Sequence, residues 1–252
     1  MFGHPIDSIG ARQVLGLVPQ DLALYDDLTT KENLVAFAKF HGVVRREIRD
    51  RVAWALRWTG LQDRASHLVK DFSGGMKRRV NLACGVLHQP KIILLDEPTV
   101  GVDPQSRERI FEMLDELNQS GASILLTTHQ LDEAEQQSDR IVILDQGRVI
   151  ADGALDELLS GTVGRSRMVK VRLDRAIHAP IRVNRLGRAA DTSLIGSPGD
   201  RTVELRISDV TEDLGRVIHA VRSNGYSVSD LEVRAPSLQH VFLHLTGHEL
   251  RD

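Results

Sequence analysis

Two adjacent carboxylates, Asp96 and Glu97, directly follow the apolar run at residues 92–95. A short apolar run after Pro90 is typical of a buried strand, so both carboxylates are expected where that strand leaves its sheet. One carboxylate could hold a divalent cation, and its neighbour, pointing the other way, could orient or deprotonate a water. Such a pair is also common where a strand simply runs out into a loop, and the pair alone leaves both interpretations open.

A second candidate site is the stretch Ser73-Gly74-Gly75, which precedes a helical pattern extending to about His88. Glycines let backbone N–H groups approach an anion, the serine adds a hydroxyl, and a helix N-terminus carries partial positive charge. Basic residues at 77–79 add to the local positive charge. Ser73 could equally be an ordinary helix N-cap.

Three more polar residues stand at the ends of predicted elements. Gln20 and His129 each follow a predicted strand, and Asp103 precedes a predicted helix. Strands that alternate with helices predict a parallel α/β sheet, which carries its chemistry at the carboxyl ends of its strands. We therefore expect Gln20, Asp96, Glu97 and His129 at one sheet edge, although a lone strand-end histidine is often structural and Asp103 could be only an N-cap.

The composition is that of an ordinary globular protein, with 252 residues, 41% hydrophobic and 27% charged. A net charge of -3 gives no overall electrostatic reason to expect nucleic acid as a partner. No apolar run approaches the length of a membrane helix and no signal peptide is evident, so we expect a cytoplasmic protein. The single cysteine, Cys84, excludes an internal disulfide and a cysteine-cluster metal site.

Four segments, taken in order, resemble the nucleotide-binding domain of ABC transporters. They are LVPQ at 17–20, FSGGMKRR at 72–79, ILLDEPTVGVD at 93–103 and TTHQLDEAE at 127–135. The resemblance spans roughly residues 1–160. It implies an ATP-hydrolysing α/β domain, a P-loop NTPase-like core with a mainly parallel sheet.

The resemblance also implies a role for each residue at the sheet edge. Asp96 is similar to the Walker B aspartate that holds Mg²⁺, and Glu97 to the catalytic glutamate. His129 is similar to the switch histidine, which joins Glu97 in catalysis. Gln20 is similar to the Q-loop residue that contacts Mg²⁺ and the permease.

The remaining candidates resemble parts of the family that bind nucleotide. Ser73, Gly74 and Gly75 correspond to the signature loop, which closes on the γ-phosphate of ATP held by the opposing subunit. Asp103 corresponds to the D-loop aspartate. The signature departs from the common LSGGQ at its first and fifth positions.

That departure, together with the tail PSLQHVFL at 236–243, resembles bacterial exporters of daunorubicin-type drugs and nodulation-type lipo-oligosaccharides. The resemblance implies ATP and Mg²⁺ as cofactors. It implies as partners a transmembrane permease subunit and a second ATP-binding subunit, in a homo- or heterodimer, with no nucleic acid. The protein is then expected on the inner face of the cell membrane, held there through the permease.

One part of the family pattern is missing, because no G-x-x-x-x-G-K-[ST] motif occurs in the 252 residues. In the family this P-loop lies upstream of the Q-loop and holds the phosphates and Mg²⁺. We therefore expect an N-terminally truncated domain, arising as a truncated product, a misplaced start or a deliberate fragment. Such a chain should neither bind ATP firmly in its own site nor hydrolyse it, and it should expose an apolar sheet edge.

The character of the sequence changes near Gly164, so we expect an ATPase portion at 1–163 and an accessory α+β domain at 164–252. Alternating patterns at 169–173 and 203–207 predict half-exposed strands, and apolar faces at 214–221 and 238–245 predict helices. Residues 165–188 carry eight basic residues against one acidic. A solvated strand face is the favoured interpretation of this basic stretch, with a membrane or regulatory contact as the alternative.

Three functions compete at this stage. The leading hypothesis is the ATP-hydrolysing subunit of an exporter. A non-catalytic partner half of an ABC dimer would also retain the signature loop. An ABC ATPase of DNA repair or translation is disfavoured, because those proteins usually carry long coiled coils or two signatures.

Overall fold

The computed structural model describes residue 5 and residues 8–164, 166–178, 181–183, 193–195 and 198–247. The chain forms two compact units, Met1–His129 and Gln130–Asp252, called unit 1 and unit 2 below. The division at 163/164, which the change in sequence character near Gly164 indicates, stays a prediction.

Unit 1 contains a small parallel sheet and the helices that pack on it. Its elements are α1 (Ile9–Gln13), β1 (Leu15–Val18), α2 (Thr30–Phe40), α3 (Arg45–Thr59), α4 (Gly74–Val86), β2 (Ile92–Asp96), α5 (Pro104–Gln119), β3 (Ser123–Thr127) and short 3-10 helices at Gln62–Arg64 and Val69–Asp71. Side-chain caps set where the helices begin: Ser73 accepts a hydrogen bond at the start of α4, and Asp103 does so at the start of α5. Both caps remain exposed to solvent.

The sheet of unit 1 has the strand order β1-β2-β3, and both pairings are parallel. The carboxyl ends of parallel strands lie at one edge, so the segments that leave the three strands emerge side by side. Gln20, Glu97 and His129 stand in those segments. The predicted parallel α/β core is confirmed.

The two faces of this sheet differ. Val18, Ile93 and Leu95 point into a core shared with the surrounding helices. On the opposite face Leu17 pairs with Leu94, which pairs with Leu125, and the outer two leucines are 57% and 59% exposed. This exposed apolar surface is a face of the sheet, and the expected apolar sheet edge stays a prediction.

Close backbone contact brings α4 against β1. A Cβ added to Gly85 would lie 2.9 Å from the Leu17 carbonyl oxygen, and one added to Gly16 would lie 2.8 Å from the Gly85 carbonyl oxygen. Real Cβ atoms do not approach so closely, so the glycine pair permits the helix to lie on the strand. The helix that begins at the signature loop is thereby held beside the strand that leads to Gln20.

Unit 2 begins with a helix and a hairpin. Its elements are α6 (Leu131–Gln137), β4 (Ile141–Asp145), β5 (Arg148–Gly153), α7 (Leu155–Gly161), β6 (Arg167–Leu173), β7 (Ile181–Val183), β8 (Ser193–Ile195), β9 (Thr202–Ile207), α8 (Val210–Ser223), β10 (Val228–Arg234) and α9 (Leu238–Thr246). Both predicted half-exposed strands and both predicted C-terminal helices are confirmed. Helix α9 packs through Val241 and Phe242 on a cluster that includes Ile143 and Leu158.

The second half of unit 2 is an antiparallel sheet of order β10-β6-β9, covered by α8 on one face. The other face is charged: Lys170 pairs with Glu204 at 2.7 Å and stands opposite Glu232. The described part of the basic stretch thus includes a solvated strand face. Arg165, Arg185 and Arg188 lie outside the described residues.

A stacked histidine pair lies between α2 and the end of α4. The rings of His41 and His88 are 4.2 Å apart at an interplanar angle of 20°. Each Nε2 donates to a backbone carbonyl at 3.0 Å, from His41 to Cys84 and from His88 to Leu15. Burial lowers the pKa of both rings, and proximity to His41 lowers the pKa of His88 further.

The histidine pair predicts that unit 1 loses stability in mild acid. The unfolded chain takes up protons near the ordinary pKa of 6.5, whereas the folded chain resists protonation, so the free energy of unfolding falls as pH drops below about 6.5. Denaturant unfolding at pH 7.5 and 5.5 measures this. Replacing both His41 and His88 with Gln should reduce the difference in the free energy of unfolding between the two pH values. An unaltered pH dependence in that variant would contradict the role of the histidine pair.

Candidate functional site

Glu97 stands just beyond the last residue of β2, in a left-handed backbone conformation with φ of 44°. The strand alternation that the sequence suggested therefore ends at Asp96. A non-glycine residue is uncommon in this conformation and must be held by its surroundings. The Glu97 N–H donates to the Thr127 carbonyl oxygen at 3.1 Å and to the Thr127 hydroxyl oxygen at 3.3 Å.

Each oxygen of the Glu97 carboxylate contacts a different side chain. Gln20 donates from Nε2 to Oε2 at 2.9 Å, and the His129 Nδ1 lies 2.9 Å from Oε1. A carboxylate oxygen accepts, so Nδ1 of His129 is the donor in this contact. The Glu97 side chain is 23% exposed and the His129 side chain 51% exposed, which leaves the group open to solvent.

Asp96 joins the same group through Thr127. The Thr127 hydroxyl donates to Asp96 Oδ1 at 2.5 Å, and the same oxygen accepts from the Glu97 N–H. Thr127 was not among the sequence candidates, although it lies inside the TTHQLDEAE segment. Its position directly across from Asp96 in the parallel register is the signal that could have found it.

The signature loop forms a second group together with the start of α5. The Ser73 hydroxyl accepts from the Met76 N–H at 3.3 Å, and Asp103 accepts from the Ser106 N–H at 2.9 Å. A Cβ on Gly75 would lie only 2.2 Å from the Ser106 hydroxyl oxygen. Hydrogen bonds from Ser106 lower the pKa of Asp103, so this carboxylate is ionised at neutral pH.

The sequence suggested that the basic residues at 77–79 add positive charge to the signature loop. In the structure their side chains are instead bound to other groups. Lys77 pairs with Asp26 at 3.0 Å, and Arg79 donates to the Thr59 carbonyl at 2.5 Å. Arg78 donates to the Gln20 carbonyl at 2.7 Å. All three side chains extend from α4 to other parts of unit 1.

Two side chains at the sheet edge carry oxygens that suit Mg²⁺, the carboxylate of Asp96 and the carboxamide of Gln20. Among the described residues, no group of three or more His, Cys, Asp or Glu side chains is arranged to hold a metal ion. Mg²⁺ commonly uses one or two carboxylates together with phosphate oxygens of a bound nucleotide. The donor chemistry of this edge therefore fits Mg²⁺ that arrives with a nucleotide.

Comparison with known proteins decides the family. A family model described as ABC transporter matches residues 3–100. The linearmycin resistance ATP-binding protein LnrL of Bacillus subtilis (strain 168) is 35% identical over 247 residues, covering 96% of this chain and 77% of that protein. The chain belongs to the ATP-binding subunits of ABC transporters.

Two further similarities define this ABC subunit more closely. The Nod factor export ATP-binding protein I of Ralstonia nicotianae is 35% identical over 247 residues, covering 96% of this chain and 73% of that protein. A dimeric ATP-binding cassette in a post-hydrolysis state, bound to ADP and Pi, is 30% identical with a TM-score of 0.52, over 58% of this chain and 65% of that one. The subunit is thus similar to ATP-binding proteins of drug resistance and of Nod factor export, in a family of ATP-hydrolysing domains.

ABC ATP-binding subunits work with transmembrane permease partners. Within the described residues, no helix has the length and apolar character needed to cross a membrane.

The close contact at Gly75 predicts a specific sensitivity. Gly75→Ala should destabilise the protein by about 1–3 kcal/mol because the new methyl group overlaps Ser106. Gly74→Ala is the matched control, since its Cβ would meet the nearest atom at an ordinary 3.7 Å. Adding Ser106→Gly to Gly75→Ala should recover most of the loss in denaturant unfolding. Equal stability of the two alanine variants would falsify the assignment.

Proposed function

We propose that the Gln20, Asp96, Glu97 and His129 group hydrolyses ATP, with Glu97 as the general base toward the attacking water. The observation that carries this proposal is the Glu97 carboxylate fixed between Gln20 and His129. A base must be held in place before it can take a proton in the transition state. Both neighbours do this while the carboxylate keeps contact with solvent.

Asp96, together with Gln20, is proposed to hold Mg²⁺, which neutralises phosphate charge when it is bound. The Thr127 hydroxyl fixes Asp96 Oδ1, so this carboxylate is oriented before any ion binds. His129 is proposed to respond to the terminal phosphate: its Nδ1 is engaged by Glu97, and the half-exposed ring leaves its other edge available.

Ser73, Gly74 and Gly75 are proposed to close on the γ-phosphate of ATP held by the second ATP-binding subunit, with Asp103 in the same contact. Ser73 and Gly74 are exposed at the N-terminus of α4, where backbone N–H groups and the helix dipole favour an anion. Gly75 is packed against Ser106, which links the signature loop to the helix capped by Asp103. The partner subunit is either a second copy or a homologue.

The work of this ATPase is proposed to be export through a membrane permease at the inner face of the cell membrane. The Gln20 segment is the proposed permease contact, and residues 164–252 are proposed to form an accessory domain. The named functions of the relatives support an exported cargo of the drug or lipo-oligosaccharide class.

A second candidate function follows from a specific pair of observations. The 252 residues contain no G-x-x-x-x-G-K-[ST] motif, yet the signature loop is intact and exposed. We propose that the 252-residue chain alone does not hydrolyse ATP. It could still complete the ATP site of a P-loop-bearing partner, as the non-catalytic half of a dimer.

Replacing the proposed base tests the main proposal. In a form of the protein that hydrolyses ATP, Glu97→Gln should lower turnover by about 10²- to 10⁴-fold while ATP binding is retained, because only proton transfer is lost. Glu116→Gln, a change on the exposed side of α5, serves as the matched control. Steady-state hydrolysis and nucleotide titration provide the two measurements. Unchanged turnover in Glu97→Gln removes Glu97 from the role of base.

A mixing experiment separates the two functions. The chain is combined with a P-loop-bearing ABC subunit, and hydrolysis is measured with Ser73→Ala or Glu97→Gln placed in this chain. If the chain is a non-catalytic half, Ser73→Ala should lower turnover at least about tenfold and Glu97→Gln should not, since only the signature loop reaches the partner's ATP. Tight binding of a fluorescent ATP analogue by the chain alone would overturn the proposal that it needs a P-loop from elsewhere.

A further inference from the structure

Arg78 is a buried arginine whose hydrogen bonds end on backbone oxygens of another segment. The residue is 6% exposed, and its guanidinium donates to the Gln20 carbonyl at 2.7 Å and to the Pro19 carbonyl at 3.3 Å. A charged group is rarely buried unless it is paired. Burial lowers the pKa of the Arg78 guanidinium, and the nearby Asp21 carboxylate partly offsets that shift. Arg78 therefore makes a specific attachment from α4 to the segment that carries Gln20.

Asn81, one turn further along α4, strengthens the same attachment. Its Oδ1 accepts from the Ala23 N–H at 3.1 Å, and its Nδ2 donates to the Pro19 carbonyl at 3.4 Å. Asn81 is almost completely buried. Residues 78 and 81 lie three apart and therefore on one face of the helix. Together they hold the backbone of residues 19–23, called the Q segment below, against α4.

The Q segment reaches the proposed base directly. Gln20 is fixed at its backbone by Arg78, and its side chain donates to Glu97 Oε2 at 2.9 Å. The helix that supplies Arg78 begins at Ser73 in the signature loop. An unbroken series of contacts thus runs from α4 through Arg78 and Gln20 to Glu97.

We propose that Arg78 is a positioning residue for ATP hydrolysis, which holds Gln20 so that its carboxamide keeps Glu97 in place. The proposal rests on the function proposed above for Glu97. A displacement of α4 carries Arg78 with it and changes how Gln20 holds the carboxylate. The position of α4, the helix that follows the signature loop, is in this way coupled to the position of the Glu97 carboxylate in the same chain.

The neighbouring arginine provides a matched control. Arg79 also extends from α4, is half-buried and donates to a backbone carbonyl, but that carbonyl belongs to Thr59 at the end of α3. Arg79→Met removes the same charge and the same kind of hydrogen bond from the same helix. It leaves the contacts between α4 and the Q segment untouched.

The first measurement is NMR of the 252-residue chain with Arg78→Met, Arg78→Lys or Arg79→Met. Loss of a donor shifts the resonance of the carbonyl carbon that accepted its bond. Arg78→Met should shift the Pro19 and Gln20 carbonyl carbons and also the Gln20 side-chain amide, with a smaller change in Arg78→Lys. Arg79→Met should shift the Thr59 carbonyl carbon alone. If Arg78→Met and Arg78→Lys both leave the Gln20 side-chain amide unchanged, the positioning role is overturned.

The second measurement uses a form of the protein that hydrolyses ATP. Arg78→Met should lower kcat at least about tenfold with KM for ATP within about twofold, because the base is misplaced while nucleotide contacts persist. In a Gln20→Ala background the same change should have little further effect, since Arg78 acts through Gln20. Full additivity of the two losses overturns the proposal. A different outcome is that the NMR shifts appear as expected but no form of the protein hydrolyses ATP, even with a P-loop-bearing partner. That outcome would overturn the proposed function, while the contact between Arg78 and Gln20 would stand.

Discussion

The parallel pairing of β1, β2 and β3 is the constraint on which the candidate site depends. Leu17, Leu94 and Leu125 form one row of the register, so the segments after the three strands emerge at matched heights. Gln20 and His129 can then reach opposite oxygens of Glu97. Because a slip of one residue in a strand turns its side chains to the other face, the core packing that fixes this register also fixes the Glu97 contacts.

The contact between α4 and β1 is the second requirement, and it is made by residues with no side chain. Gly16 and Gly85 let the helix and strand approach to backbone contact. At that distance Arg78 and Asn81 can reach the carbonyl and N–H groups of the Q segment. Larger side chains at the two glycines would push α4 away and lengthen those bonds, so the polar attachment follows from the close packing.

The sequence predicts the main residues of the candidate site because their residue types and their order along the chain indicate their chemistry. Asp96, Glu97 and His129 stand at strand ends, and a parallel sheet brings strand ends together. The roles of Arg78 and Asn81 were not predicted, because both side chains bind backbone atoms. Every residue has such atoms, so the sequence of the bound segment gives no sign of the contact. Thr127 looked like an ordinary strand residue, and its importance depends on the neighbouring strand that carries Asp96.

In the second unit the limits of prediction are set by contacts distant in sequence. The pattern at 238–245 predicts a helix, but an apolar helix face does not indicate which surface it will cover. In the structure α9 covers the cluster that contains Ile143 and Leu158, and the Leu238 N–H donates to Glu135 at 2.8 Å. Glu135 lies 103 residues before Leu238, and the other partners also belong to a much earlier part of the chain. An amphipathic pattern thus fixes the presence of an element, whereas its partner depends on the whole fold.

The charge of the antiparallel sheet's exposed face also depends on contacts between segments distant in sequence. A run of basic residues along one strand suggests a positive surface when the sequence is considered alone. The partner strands place carboxylates across from them: Lys170 lies between Glu204 and Glu232, and Asp230 stands opposite Arg172. Opposite charges on adjacent strands cancel much of each other's field within a Debye length. The net field of a strand is therefore a property of the sheet, and a linear count of basic residues overstates it.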